Sequence, residues 1–200
     1  MAFVRVARVA QHTSAKVAVF NAQSIGNTFA AICDRIIVEK PCLGAIAETW
    51  HDSADCPSVI ACTLPGYHCL DRARPCSAAQ VNSMFTNHGG IGLQYASIYC
   101  ARAVSLPVYR TFELLAAYLH SAGLDLLFFV IYHPSSTAIS SIFFHEFDDA
   151  LERTATFSSA IAIVGDINIH LDVVNDPNTI KFMHSLDDHD LVQHVVGSTP

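Results

Sequence analysis

The sequence predicts an α/β fold: one domain carrying a mixed sheet or a pair of sheets. Three observations lead there. β-rich apolar runs of strand length alternate with helical segments. The middle is a run of strands without helices, which a strictly alternating βαβ layout does not accommodate, and neither G-x-G-x-x-G nor G-x-x-x-x-G-K-[ST] occurs. Finally, 200 residues that are 52% apolar and 14% charged make one domain's worth of chain, too apolar for disorder over most of its length.

The elements follow in order. Val17–Phe20 is a short buried strand. Thr28–Lys40 carries Phe29, Ile32, Ile36 and Ile37 at helical spacing and is ended by Pro41. Leu43–Ala47 is a second buried strand. The stretch from Asp52 to Gln80 is rich in Pro, Ser and Cys and reads as loops, with Leu64-Pro-Gly-Tyr67 a turn entering a short strand. Gly89-Gly90 opens a β segment to about Val104. Arg110–Leu119 and Leu126–Tyr132 flank Ser121–Asp125 as a hairpin. Ser141–Thr156 is an amphipathic helix with Phe143, Phe147, Ala150 and Leu151 on one face. Ala160–Val164 is another buried strand. Asp176-Pro177 supplies an N-cap and a first-turn proline for a helix to about His189, and Leu191–Val196 begins a last strand. Residues 1–15 are expected to be a leader, disordered or targeting, ahead of a domain over 16–200.

Charge and cysteine exclude several classes. With 11 Lys and Arg against 18 Asp and Glu, the formal charge is −7, which is no basic nucleic-acid coat. A phosphate-bearing substrate stays open, because a cation held by acidic residues inverts the local field. No apolar run reaches the roughly 18 residues of a membrane-spanning helix. The seven cysteines include no C-x-x-C, and the regular set at 56, 62, 69 and 76 lacks the close pairs of a zinc site. Free thiols and an intracellular setting are expected.

Four buried strands run out into polar residues. Val17–Phe20 ends in Asn21, Leu43–Ala47 in Glu48-Thr49-Trp50, Phe128–Ile131 in Tyr132-His133-Pro134, and Ala160–Val164 in Gly165-Asp-Ile-Asn-Ile-His170. Neighbouring strands would gather these ends at one rim, where α/β sites form. Glu, Asp, Asn and Tyr are hard oxygen donors of the kind Mg²⁺ or Mn²⁺ prefers. Asp166 and Asn168 alternate along an extended chain and are expected to face the same way. A carboxylate there can orient or deprotonate water, and an amide can donate to developing negative charge.

Asn21-Ala-Gln-Ser24, Ala47-Glu-Thr-Trp50, Ile131-Tyr-His-Pro134 and Gly165-Asp-Ile-Asn-Ile-His-Leu-Asp172 also carry a resemblance. In this order, with Phe112-Glu113, Gly89-Gly90, Phe147 and Leu191-Val-Gln-His194, they resemble the endonuclease/exonuclease/phosphatase superfamily. Within it the chain most resembles the endonuclease domain of LINE-type (non-LTR) retrotransposons. The resemblance implies a DNase I-like, four-layered α/β sandwich, two packed mixed sheets flanked by helices, and Mg²⁺- or Mn²⁺-dependent phosphodiester hydrolysis. It implies Glu48 as metal ligand with Asn21 beside it, Tyr132 on the scissile phosphate, Asp166 positioning water and Asn168 stabilising the transition state. His133 and His170 are expected as substrate contacts, His170 with a structural role as the alternative.

Two departures matter. His133 stands where many relatives have Arg. The family's closing Thr-His, Asp and Ser-Asp-His motifs do not follow before Pro200, so the chain is expected to be truncated at its C-terminus. The resemblance further implies duplex DNA as partner and a reverse transcriptase domain downstream in the parent element, with the nucleus a logical destination. An inactive remnant or binding module of the same fold, and a phosphatase or exonuclease on a small phosphoester, are the rival readings.

Overall fold

The computed structural model describes residues 6–7, 15–51, 53, 55–74, 89–122, 124–155, 157 and 160–194. Nine strands and four helices lie within them: β1 (Val6–Ala7), β2 (Val17–Asn21), α1 (Ile25–Glu39), β3 (Leu43–Ala47), α2 (Pro57–Cys62), β4 (Tyr67–Arg72), β5 (Ile91–Ala96), β6 (Cys100–Val104), β7 (Glu113–Ser121), β8 (Leu124–Tyr132), α3 (Ser141–Thr154), β9 (Ala160–Asp166) and α4 (Pro177–Asp188). They form a five-stranded sheet in the order β1-β9-β8-β7-β6 and a four-stranded sheet in the order β2-β3-β5-β4. Both are mixed. β8 pairs with β9, and β2 with β3, in parallel, and the other pairings are antiparallel.

Strand alternation sorts the side chains into three cores. Along β8, Leu126, Phe128, Val130 and Tyr132 join Leu115, Ala117, Leu119, Ala162 and Val164 against Leu43, Ala45, Ala47, Ile91 and Leu93 of the other sheet. The intervening Leu127, Phe129 and Ile131 face Phe143, Phe147, Phe182 and Leu186 of α3 and α4. On the outer face of the smaller sheet, Ile46 meets Ile32, Ile36, Val59 and Cys62 of α1 and α2. The result is helix, sheet, sheet, helix: the four layers that the resemblance implies.

The differences are local. α2 lies inside the stretch read as loops, and the β segment after Gly89-Gly90 is two strands joined through Ser97 to Tyr99. Residues Val6–Ala7, in the segment read as a leader, add a two-residue strand to the edge of β9. The expected strand over Leu191–Val196 is a single bridge at Gln193 within the described residues, and the rest lies outside them. Asp176 caps α4 as expected, accepting from the Asn178 and Thr179 main-chain N–H groups at 2.9 and 3.0 Å. The six described cysteines are free thiols, and Cys76 lies outside the described residues. Among the described residues no helix is long and apolar enough to cross a membrane.

Candidate active site

Parallel pairing brings Asn21 level with Ala47, and Tyr132 level with Asp166. Alternation then aims three polar side chains into the same cleft. Asn21 shares its parity with Val17 and Val19, Tyr132 with Val130, and Asp166 with Val164, all on the faces between the two sheets. Glu48 has the opposite parity. Its backbone leaves the extended region there, with φ 54°, which ends the alternation of β3 at that residue.

The side chains meet. The Asn21 amide Nδ2 donates to Glu48 Oε1 at 2.8 Å and to Asp166 Oδ2 at 3.1 Å, across 27 and 145 residues of sequence. Its Oδ1 accepts from the Gln23 main-chain N–H at 3.3 Å, which fixes the orientation of the amide. The Tyr132 hydroxyl lies beside the Glu48 carboxylate. Asp166 Oδ1 accepts from the Asn168 main-chain N–H at 3.2 Å, an Asx-type turn that closes the end of β9.

Burial shapes the electrostatics. Asp166 is 2% exposed, and burial, followed by the nearby Glu48 charge, raises its carboxyl above the ordinary value of 3.8. The Asn168 and Asn21 hydrogen bonds oppose that rise. Burial and Glu48 likewise push the Tyr132 phenol well above 10. It is therefore a neutral hydroxyl, able to donate.

Two predicted residues differ from expectation. Asn168 does not continue an extended alternation with Asp166: its φ is 52°, and its Nδ2 donates to the His133 carbonyl oxygen at 2.6 Å. The His133 ring is fully buried, edge-on to Phe143 with centroids 5.3 Å apart, so it points into the helix-side core and away from the cleft. One residue past Tyr132, it takes the opposite face. His170 is exposed, and its contribution is a carbonyl oxygen that accepts from the Thr179 hydroxyl at 2.9 Å.

The sequence reading missed the support around Glu48. Thr49 Oγ1 and His51 Nδ1 are 2.6 Å apart, and His51 Nε2 meets Asp71 Oδ2 at 2.9 Å. With the Thr49 and Trp50 N–H groups donating to the Gly90 and Gly89 carbonyls at 3.1 and 2.7 Å, this pins the loop after β3 to β4 and β5. Gly90, at φ 89°, lies where a side chain would strike Thr49. Glu113, level with Tyr132, accepts from the Gly90 N–H at 2.6 Å and pairs with Arg74, whose guanidinium lies 5.9 Å from the Tyr132 ring centroid. The available signal was parity: Arg72 and Arg74 continue the inward face of Leu70, within a stretch read as loops.

Among the described residues no three His, Cys, Asp or Glu side chains converge as a cage. The cleft instead offers two carboxylates, Glu48 and Asp166, joined through the Asn21 amide nitrogen. That set fits a hard cation such as Mg²⁺, which keeps several waters and binds through one or two carboxylates.

No family model matches the chain, and no curated protein matches its sequence. Solved structures do match its fold. An AP endonuclease from Leishmania major superposes with a TM-score of 0.62 at 13% identity, covering 88% of this chain and 66% of that one. The fold is DNase I-like. The DNase I-like architecture also matches a 3′ phosphatase from Neisseria bound to a product DNA hairpin, with a TM-score of 0.59 at 15% identity, covering 87% and 71% of the two chains. The human Nocturnin catalytic domain with a bound sulfate anion gives 0.60 at 14%, covering 90% and 71%. The chain thus spans about two-thirds of the length of these structures.

Proposed function

We propose that this chain is a divalent-metal-dependent phosphodiesterase that nicks duplex DNA, an endonuclease of retroelement type. The observation that supports it most is one amide, Asn21, hydrogen-bonded to both Glu48 and Asp166 at the rim between the sheets. The similarity of fold to an AP endonuclease and to a phosphatase bound to product DNA supports the substrate class.

In this reading Asp166 accepts a hydrogen bond from the attacking water and takes its proton as the water oxygen bonds to phosphorus. The phosphorus–oxygen ester bond breaks, and the leaving oxygen takes a proton from solvent water. Tyr132, held neutral, donates to a phosphate oxygen, and Asn168 turns its amide from the His133 carbonyl to the charge that develops. Asn21 sets the spacing of the two carboxylates. Glu48, with Asn21, would hold Mg²⁺ or Mn²⁺, which when bound supplies Lewis-acid polarisation of the phosphate. In the parent element a reverse transcriptase domain would follow.

Nicking of supercoiled plasmid in Mg²⁺ and in EDTA tests the proposal. The chain is expected to nick with Mg²⁺ only, and Asp166→Ala to lower the rate by about 10²- to 10⁴-fold, the range of a general base. Equal nicking by both proteins ends the assignment.

A further inference from the structure

A groove of about 330 Å³ opens on the same rim, beside Glu113. Arg72 and Arg74 at the end of β4, Tyr109 and Arg110 before β7, Glu113, and Pro134 after β8 are among the residues that line it. Glu113 and Tyr132 are paired residues on adjacent strands, so the groove begins about 5 Å from the candidate active site. In a chain of net charge −7, three arginines around one groove reverse the local sign.

The carboxylates nearby are already engaged. Glu113 holds Arg74 and the Gly90 N–H. Glu146 accepts from the main-chain N–H groups of Arg110 and Thr111 at 3.0 and 2.9 Å, and from the Thr111 hydroxyl at 2.7 Å. Asp149 accepts from the Tyr109 hydroxyl at 3.0 Å and from Arg153 at 2.7 Å. These bonds fix the loop at residues 109–111 and leave the Arg110 side chain exposed. Arg72 Nη1 donates to the Leu114 carbonyl at 2.7 Å. Among the described residues no carboxylate forms an ion pair with Arg72 or Arg110, although Arg110 lies within electrostatic reach of Glu146.

We propose that Arg72 and Arg110 hold a second phosphate of a DNA backbone, next to the one being cleaved. The inference rests on the reading of the Asn21, Glu48 and Asp166 cluster as the cleavage site. Guanidinium groups with free N–H donors match phosphate oxygens in geometry and charge. The aromatic wall is not available for stacking: Tyr109 lies on Phe112 with centroids 4.9 Å apart, and its hydroxyl is on Asp149. The groove therefore reads backbone charge and not base identity. It sets a preference for a polynucleotide over a small phosphoester, because only a polymer places a neighbouring phosphate there.

The test is binding of a labelled duplex of about 20 base pairs in EDTA, by fluorescence anisotropy over about 50 to 200 mM salt. Arg72→Ala and Arg110→Ala are each expected to weaken binding and to flatten the salt slope by about 0.9, one phosphate's share. Arg102→Ala, an exposed arginine on β6, is expected to bind as the parent does. Arg110→Ala leaves the main-chain bonds to Glu146 intact, so it decides the matter if Arg72→Ala unfolds. Unchanged slopes for Arg110→Ala overturn the proposal, as does an equal loss in Arg102→Ala. Hydrolysis of bis(p-nitrophenyl) phosphate in Mg²⁺ provides the second arm, and Arg110→Ala is expected to match the parent there. If the parent protein hydrolyses nothing while the slopes still shift, the cleavage reading fails and the backbone-binding groove stands.

Discussion

Neither ring nitrogen of His133 has a partner among the described residues, and the ring has no exposed surface. Burial holds its protonation below the ordinary histidine value of 6.5. The unfolded chain therefore binds a proton more readily than the native one. The stability that rests on the neutral ring is complete above that value and is lost as pH falls through it towards the lower native one. His133→Phe keeps an aromatic ring against Phe143 and cannot protonate. It is expected to flatten the decline of melting temperature between about pH 7 and pH 5, and to raise stability by about 1–3 kcal/mol at the acid end, where two unpaired buried nitrogens are removed. Thermal melts across that range check it, and parallel declines in both proteins refute it. The same alternation that turns Tyr132 toward the candidate site turns His133 into the core. Both positions were legible as a strand end, but the motif suggested a substrate contact where the pleat dictates burial. Asn168 was legible by type and not by geometry. A left-handed residue costs about 1–2 kcal/mol outside glycine, and only the assembled structure reveals the compensating Asp166 turn and His133 carbonyl.

At the scale of elements, apolar spacing was sufficient for α3 and for all of α1 but its first turn, which begins at Ile25 and not at Thr28, the Asp176-Pro177 start signal for α4, and uninterrupted apolar runs for β3, β8 and β9. α2 escaped because six residues span less than two helical turns, too few for a period to register among Pro, Ser and Cys. The end of β3 escaped because no residue pattern marks a left-handed glutamate. Gly165 is the instructive element-level residue. It follows Ala160–Val164, the run read as the strand, yet it sits within β9, paired with Ile131 of β8, at φ 140°. An added Cβ would collide with the Ile131 carbonyl oxygen. Gly165→Ala must therefore move β8 from β9 at the point where Tyr132 and Asp166 align. The expected cost is about 3 kcal/mol or more, since it combines a forbidden backbone conformation with a backbone clash. Chemical denaturation measures it, and a loss below about 1 kcal/mol would mean that the two strands are not held this closely.

The whole molecule assembles its candidate site from both sheets, and that arrangement has an energetic signature. Asn21 and Glu48 come from the end of the smaller sheet, Tyr132 and Asp166 from the larger, and the cleft between them places two carboxylates on one amide. Packing the sheets together buries Asp166, the main cause of its raised carboxyl, and brings the Glu48 charge beside it, which adds to the rise. Two consequences separate this site from an ordinary polar rim. Neutralising one carboxylate, as in Glu48→Gln, removes the repulsion and is expected to raise the melting temperature in EDTA. A hard cation removes the same repulsion in the parent protein, so Mg²⁺ is expected to stabilise it by linkage, about 2.7 kcal/mol at a hundredfold excess over its dissociation constant, or several degrees for a chain of this length. The two effects cannot add, because each relieves the same contact. Glu48→Gln should therefore melt higher than the parent without Mg²⁺ and gain little when Mg²⁺ is supplied. Differential scanning calorimetry of the two proteins, with and without the cation, reads all four values. Equal Mg²⁺ gains in both would place the cation elsewhere and leave the rim a purely structural contact between sheets.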